Sequence, residues 1–305
     1  MNSIPPVLTT LNSDEVFGKR PSTVPEFVFL NELPKGIAET FLIYGGSGCG
    51  KSRLAGTAGD RTLFINNGSG VSTLQSPIFK RDIGANPIVV TLGENLGKRG
   101  TVTEAEVHDA ICDTIDHALN KFGDKFDTIV VDDATQLRRG AMNKGLELNS
   151  ITKKSKTLDE IVRKHDVVAP TPSDYNMEMV IIESFIANYV AICKGAGKHL
   201  IVNAHERVTY GKADKYGEEQ PVIRIGPGFT GKTFPDAIPS YFDNVWRMEV
   251  VSGGANRVWR ATTAGTEQIV AKTRMAGIFS TVEVNPNFKD IFKRLEAATM
   301  LANKK

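Results

Sequence analysis

Residues 45–52 read Gly45-Gly46-Ser47-Gly48-Cys49-Gly50-Lys51-Ser52. A glycine, four residues, then Gly-Lys-Ser is the spacing of a phosphate-binding loop, in which backbone N–H groups converge on phosphate oxygens. In that chemistry Lys51 reaches the β- and γ-phosphates and the Ser52 hydroxyl ligates Mg²⁺. The string carries meaning only between a strand and a helix. Both flanks comply: the apolar run Phe41-Leu42-Ile43-Tyr44 precedes it, and residues 51–58 contain no proline and can begin a helix. The motif predicts a nucleoside triphosphate ligand, ATP with Mg²⁺. Cys49 lies inside the loop, where a helix N-terminus favours thiolate, and it reads either as a reactive thiol or as a small filler.

A second group of candidates ends a second apolar run. Residues 126–133 read Phe-Asp-Thr-Ile-Val-Val-Asp-Asp. A carboxylate at such a strand end can hold the water shell of Mg²⁺ beside the phosphate-loop serine, which is the role expected of Asp132. Asp133 is either a base candidate or the N-cap of the next helix. A third run, Leu200-Ile201-Val202-Asn203, leads into Ala204-His205-Glu206. Beside the Asp132 strand it would direct His205 at the γ-phosphate, with Glu206 coupling that histidine to the chain beyond it. Hydrolysis also needs a group that orients the attacking water, for which Asp133, Glu94 and Glu206 all qualify.

These side chains need a scaffold that brings strand ends together. Short runs apolar on both faces recur at 41–44, 62–65, 88–92, 128–131 and 200–203, as in parallel strands covered by helices on each side. Helical periodicity separates several of them. Val107, Ala110, Ile111, Ile115, Ala118 and Leu119 share one face over 104–121, and Met179, Ile182, Phe185, Ile186, Tyr189 and Ile192 share one over 176–194. The alternation predicts an α/β, mostly parallel, doubly wound sheet with its ligand at the carboxyl ends of the strands. Beyond residue 203, strand patterns at 221–225, 245–251, 257–261 and 268–272 predict an antiparallel C-terminal extension of the same sheet. A last helix is expected over 287–301. Five prolines within residues 1–36 disfavour a long helix there. That stretch reads as a lead-in to a single domain over 37–305.

Composition narrows the setting. Net charge is +2, so nucleic-acid binding would have to come from local patches. Three scattered cysteines without a C-x-x-C pair argue for a reducing compartment and against a zinc site or a disulfide framework. No secretion signal or membrane-length apolar stretch is evident, which predicts a cytoplasmic protein without a membrane partner, in the host cytoplasm if phage-encoded.

The order of these pieces resembles the RecA-like P-loop ATPases, in particular the phage nucleotide-binding family that includes Sak-type single-strand annealing ATPases. The resemblance rests on the run into the phosphate loop, on 127–133, on Asn203-Ala204-His205-Glu206 and on 237–249, Ala-Ile-Pro-Ser-Tyr-Phe-Asp-Asn-Val-Trp-Arg-Met-Glu. It ends in Ala271-Lys272-Thr273-Arg274. It implies ATP and Mg²⁺ as cofactors, assembly into a ring or filament of identical subunits, and action on single-stranded DNA in recombination or replication. Lys272-Thr273-Arg274 is similar to a motif whose two cations reach the nucleotide of a neighbouring subunit, a role that stabilises developing charge. At one place the chain departs from the family: Asn66-Asn67 closes the second strand where relatives carry an acid that activates water. A nucleotide-gated interaction module with little turnover is therefore one alternative, and a P-loop kinase another.

Two stretches are candidates for DNA contact. Over 137–165 the cations Arg138, Arg139, Lys144, Lys153, Lys154, Lys156, Arg163 and Lys164 face three carboxylates, a local balance of +5. Over 207–232, Tyr210, Tyr216 and Phe229 alternate with Lys212, Lys215 and Arg224. Aromatics beside cations suit a single strand, whose bases stack while its phosphates pair.

Overall fold

The run Phe41–Tyr44 has no charged side chain, and the strand it forms, β1 (Thr40–Gly45), is buried at every position. A computed structural model describes residues 38–68, 70–92, 106–153, 170–211, 221–231, 234–252, 257–275 and 277–302. They belong to one compact unit running from 37 to 305. The expected lead-in over 1–36 lies outside the described residues, as does Glu94.

After β1 come α1 (Lys51–Gly56), β2 (Thr62–Asn66), α2 (Val71–Gln75), α3 (Pro77–Asp82) and β3 (Ile88–Thr91). Then come α4 (Val107–Phe122), β4 (Thr128–Asp132), α5 (Ala134–Lys153), α6 (Pro172–Gly195) and β5 (His199–Tyr210). The rest is β6 (Val222–Pro227), α7 (Phe234–Tyr241), β7 (Asn244–Ser252), β8 (Val258–Thr262), β9 (Lys272–Thr273), β10 (Val282–Val284) and α8 (Phe288–Ala302). The strands form one sheet in the order β10-β8-β7-β1-β5-β4-β2-β3, with β6 paired to β5 and β9 to β7. From β7 to β3 neighbouring strands are parallel. Strand β5 lies between β1 and β4, so the two strands that end in candidate site residues are separated by a third ending in another.

The antiparallel part differs in detail from the expectation. Strand β7 pairs parallel with β1, and the antiparallel additions are β8, β10, β6 and the two-residue β9. Strand β5 continues past Asn203 to Tyr210, because its second half leaves the core and pairs with β6 alone. Helix α7 carries Pro235 and Pro239, which mask its pattern in the sequence.

Each face of the sheet has its own core. On one, Leu42, Ile65, Ile129, Val131 and Val202 pack with Ile111 and Ile115 of α4 and with Ile182, Phe185 and Ile186 of α6. On the other, Phe41, Ile43, Phe64, Val130 and Trp246 pack with Leu54 of α1 and with Phe288, Ile291 and Leu295 of α8. Helix α6, 24 residues long, is by length and composition apolar enough to cross a membrane. Its Ile182, Phe185, Ile186, Tyr189 and Cys193 are buried in the first core.

Candidate functional site

Strand β1 delivers the chain into the loop, and two glycines let it turn: Gly48 has φ 75° and Gly50 φ 95°, a region that side-chain-bearing residues rarely enter. The loop is pressed against the C-terminal strands. A Cβ at Gly45 would lie 2.3 Å from the Met248 carbonyl oxygen, and one at Gly50 would lie 2.5 Å from Cδ1 of Trp259. The Lys51 ammonium is buried and donates to the carbonyls of Gly45 and Gly46, both at 2.9 Å. Cys49 is buried, and burial pushes its thiol pKa up, which favours the filler reading over a reactive thiolate.

Asp132 closes β4 and is 4% exposed. Its Oδ1 accepts from Asn203 Nδ2 at 3.0 Å. Its Oδ2 has no hydrogen-bond partner. Burial pushes this carboxyl above its ordinary pKa, and the Ser52 hydroxyl and the Asn203 amide pull part of the way back. Gly70 covers the pair so tightly that a Cβ there would lie 1.8 Å from Oδ2 and 2.9 Å from the Ser52 hydroxyl oxygen.

Asp133, joined to Asp132 by a cis peptide, accepts from the Gln136 backbone N–H at 2.9 Å and so caps α5. Its other carboxyl oxygen lies 3.4 Å from His205 Nε2. Both side chains line a pocket of about 240 Å³ with Ser47, Gly48, Gly50, Lys51, Ser52 and Asp132. The structure therefore brings together the loop, Asp132, Asp133 and His205. Glu206 lies on the other side of the loop, in a second pocket with Gly46, Ser47, Gly48 and Cys49. It pairs with Arg247 at 3.2 Å, and Arg247 continues to Glu249 and Glu249 to Arg260, a charge ladder along the sheet rim. Glu206 therefore reaches β7 and not His205.

A family model described as an AAA domain (AAA_24) matches residues 38–275. The chain belongs to this AAA domain family. The matched span contains the phosphate loop, β4 and the His205 strand. None of the curated proteins matches the chain. Among solved structures, the crystal structure of flagellar accessory protein FlaH from Methanocaldococcus jannaschii is similar with a TM-score of 0.35 and 11% identity, over 81% of this chain and 84% of that one.

In this AAA domain the donor set suits a Mg²⁺–nucleotide. A buried carboxylate oxygen lacks a donor, a buried ammonium is held by two loop carbonyls and the Cys49 sulfur, and glycines open the loop. Among the described residues no cluster of three or more His, Cys, Asp and Glu forms a metal site built by the protein alone.

Lys272 and Arg274 lie at the opposite end of β7 from the loop, since Lys272 pairs with Val245 while Met248 pairs with Gly45. Their strand is therefore at the far end of β7, not at the lateral edge of the sheet, which is β10. Lys272 Nζ is 3.4 Å from the Ser240 carbonyl, and Arg274 donates to Asp243 at 3.1 Å. Neither touches its own subunit's phosphate loop.

Of the first candidate DNA stretch, Arg138 pairs with buried Glu178 and Lys144 with Asp109. Lys154, Lys156, Arg163 and Lys164 lie outside the described residues. In the second, Phe229 is 2% exposed, so it serves the core and offers no stacking surface. Tyr210 is 55% exposed, Arg224 pairs with Asp236, and Lys212, Lys215, Tyr216 and Lys232 lie outside the described residues.

Sequence reasoning passed over Gly70, Trp259 and the roles of Asn66 and Asn203. The last two carried a signal, a polar residue closing an otherwise apolar strand. Gly70 and Trp259 carried none, because their neighbours are distant in sequence.

Proposed function

We propose that this chain binds ATP with Mg²⁺ and hydrolyses it slowly, in an assembly of identical subunits that acts on single-stranded DNA. The observation that carries the nucleotide part is the convergence of Lys51, Ser52 and Asp132 in one glycine-lined pocket. Ser52 and Asp132 would hold Mg²⁺, which supplies charge neutralisation of the phosphates when bound. Lys51 exchanges its carbonyl acceptors for phosphate oxygens. Asp133, with His205 beside it, accepts the proton of a water whose oxygen bonds to the γ-phosphorus as the bond to the β–γ bridging oxygen breaks. The products are ADP and inorganic phosphate.

Support for the assembly is the placement of Lys272 and Arg274, cations too far from their own loop to serve it. Support for the DNA part is the resemblance, together with exposed Tyr210 on β5 and the cations Arg207 and Arg224 of the same strand pair. The deciding experiment measures ATP hydrolysis with and without single-stranded DNA, over a range of protein concentrations and salt. Expected are DNA stimulation, steep loss of DNA binding with salt, and turnover rising faster than linearly with protein. A Lys51→Ala chain that binds ATP with unchanged affinity would sink the nucleotide assignment. Turnover indifferent to DNA at low salt would sink the DNA assignment.

A second reading, a nucleotide-gated module with negligible turnover, is favoured by Asn66 and Asn67, whose amides cannot take a proton from water. It predicts ATP binding without release of phosphate under any of these conditions.

A further inference from the structure

Asn66, Asp132 and Asn203 stand at one level on three neighbouring strands. Asn66 pairs with Asp132 across β2 and β4, and Val131 pairs with Val202, which sets Asp132 beside Asn203 across β4 and β5. All three are buried, at 1%, 4% and 0% exposure. They share the face whose core includes Leu54 of α1, two residues after Ser52. Both amide nitrogens of the row are engaged, each by one N–H: Asn66 Nδ2 donates to the Gly68 carbonyl at 2.9 Å and Asn203 Nδ2 to Asp132 at 3.0 Å. The acceptors are not. Asn66 Oδ1, Asp132 Oδ2 and Asn203 Oδ1 each lack a donor.

An unpaired buried acceptor is costly, so three in one row are a substantial penalty in the free protein. The missing partner must donate and need not accept. A neutral water fits poorly, because it brings only two protons to three acceptors. Water bound to a divalent cation fits well: its oxygen is committed to the metal, its protons are acidified, and Mg²⁺ keeps several such waters. The net charge of the row is that of one carboxylate, which is weak attraction for a free cation and leaves the phosphates to supply the rest.

Resting on the nucleotide reading above, we infer that Asn66 and Asn203 are positioning residues that accept hydrogen bonds from the water shell of the Mg²⁺ bound with the nucleotide, alongside Asp132. The amide where a family acid is expected thus serves metal placement, and the row admits the cation as its nucleotide complex in preference to the free ion.

The test titrates a fluorescent ATP analogue into the whole chain, once with Mg²⁺ and once with chelator, and separately titrates Mn²⁺ alone by electron paramagnetic resonance. Asn66→Leu and Asn203→Leu should lower the gain in affinity that Mg²⁺ confers by about 10- to 100-fold, as loss of outer-shell partners does elsewhere. Affinity in chelator should stay unchanged. Asn66→Asp, which keeps the oxygen and adds a charge, should retain the Mg²⁺ gain and bind free Mn²⁺ more tightly than the parent. A full Mg²⁺ gain in folded leucine variants overturns the inference. If the leucine variants do not fold, Asn66→Asp decides, and free-Mn²⁺ affinity equal to the parent's overturns it. A parent chain that binds no analogue in either condition overturns the phosphate-loop reading and this inference together. Lys51→Ala separates the two, since it should lose binding in both conditions.

Discussion

Gly70 shows how little room surrounds the carboxylate of Asp132. Its φ is −61°, open to any residue, so the glycine is required by space and not by backbone shape. A methyl group there would sit 1.8 Å from Asp132 Oδ2. Gly70→Ala should therefore fold, with a thermal midpoint near the parent's, while Mg²⁺-dependent nucleotide affinity falls about 10-fold or more, read by the same fluorescent titration. An unchanged affinity would mean that the loop over Asp132 moves aside freely. At this scale the sequence was legible where a motif names its residues, as for Lys51, Ser52 and Asp132. It was silent where a role depends on what stands opposite. Asn203 donates to Asp132 only because β5 lies beside β4, and Glu206 turns from His205 only because Arg247 stands across from it.

Among elements, β5 is tied at its start by His199, whose ring stacks on Phe292 of α8 at 3.9 Å and accepts from the Glu39 N–H at 3.0 Å. Burial holds its pKa down to about 4, against an ordinary value near 6.5. The unfolded chain therefore takes up this proton first as pH falls. The stability that depends on neutral His199 is whole above about pH 6.5 and drains away between there and about 4. Denaturant unfolding should show roughly 2 kcal/mol lost from this group between pH 7 and 5, and His199→Gln should flatten that limb. The same slope in the variant would assign the loss to another group. Elements were readable from sequence where the pattern is local: the five apolar runs became β1 to β5, and the 3.6-residue periodicities became α4 and α6. Strand direction was not. Whether β7 runs with or against its neighbour depends on the crossover through α7, whose prolines hide it. Beyond Asn203, β5 is half exposed and has no apolar signature.

For the molecule as a whole, Asp243 is a knot. Buried at the end of the sheet opposite the phosphate loop, it accepts from the backbone and hydroxyl of Thr40, from Lys194 at the end of α6 and from Arg274 after β9. Burial alone would raise its pKa, but hydrogen bonds from Lys194 and Thr40 and the charge of Lys194 outweigh that and hold the carboxyl below its ordinary range. Asp243→Ala would leave the buried donors of Thr40 without partners and should cost at least about 2 kcal/mol in denaturant unfolding. Arg274→Ala removes a partner that is 60% exposed. It should shift stability by less than about 1 kcal/mol, so loss of turnover in that variant would report on a neighbour's nucleotide and not on the fold. A stability loss as large as that of Asp243→Ala would make Arg274 a structural residue.

The contacts of Gly45 with Met248 and of Gly50 with Trp259 also bear on how the protein is made. The phosphate motif leaves the ribosome some 200 residues before the surfaces that pack its loop. Nascent chains halted shortly after α6 would carry the complete motif without its backing and should not retain a nucleotide. Binding should appear only once β7 and β8 have emerged. The onset of binding would then date the moment at which β7 and β8 close onto a loop translated well before them.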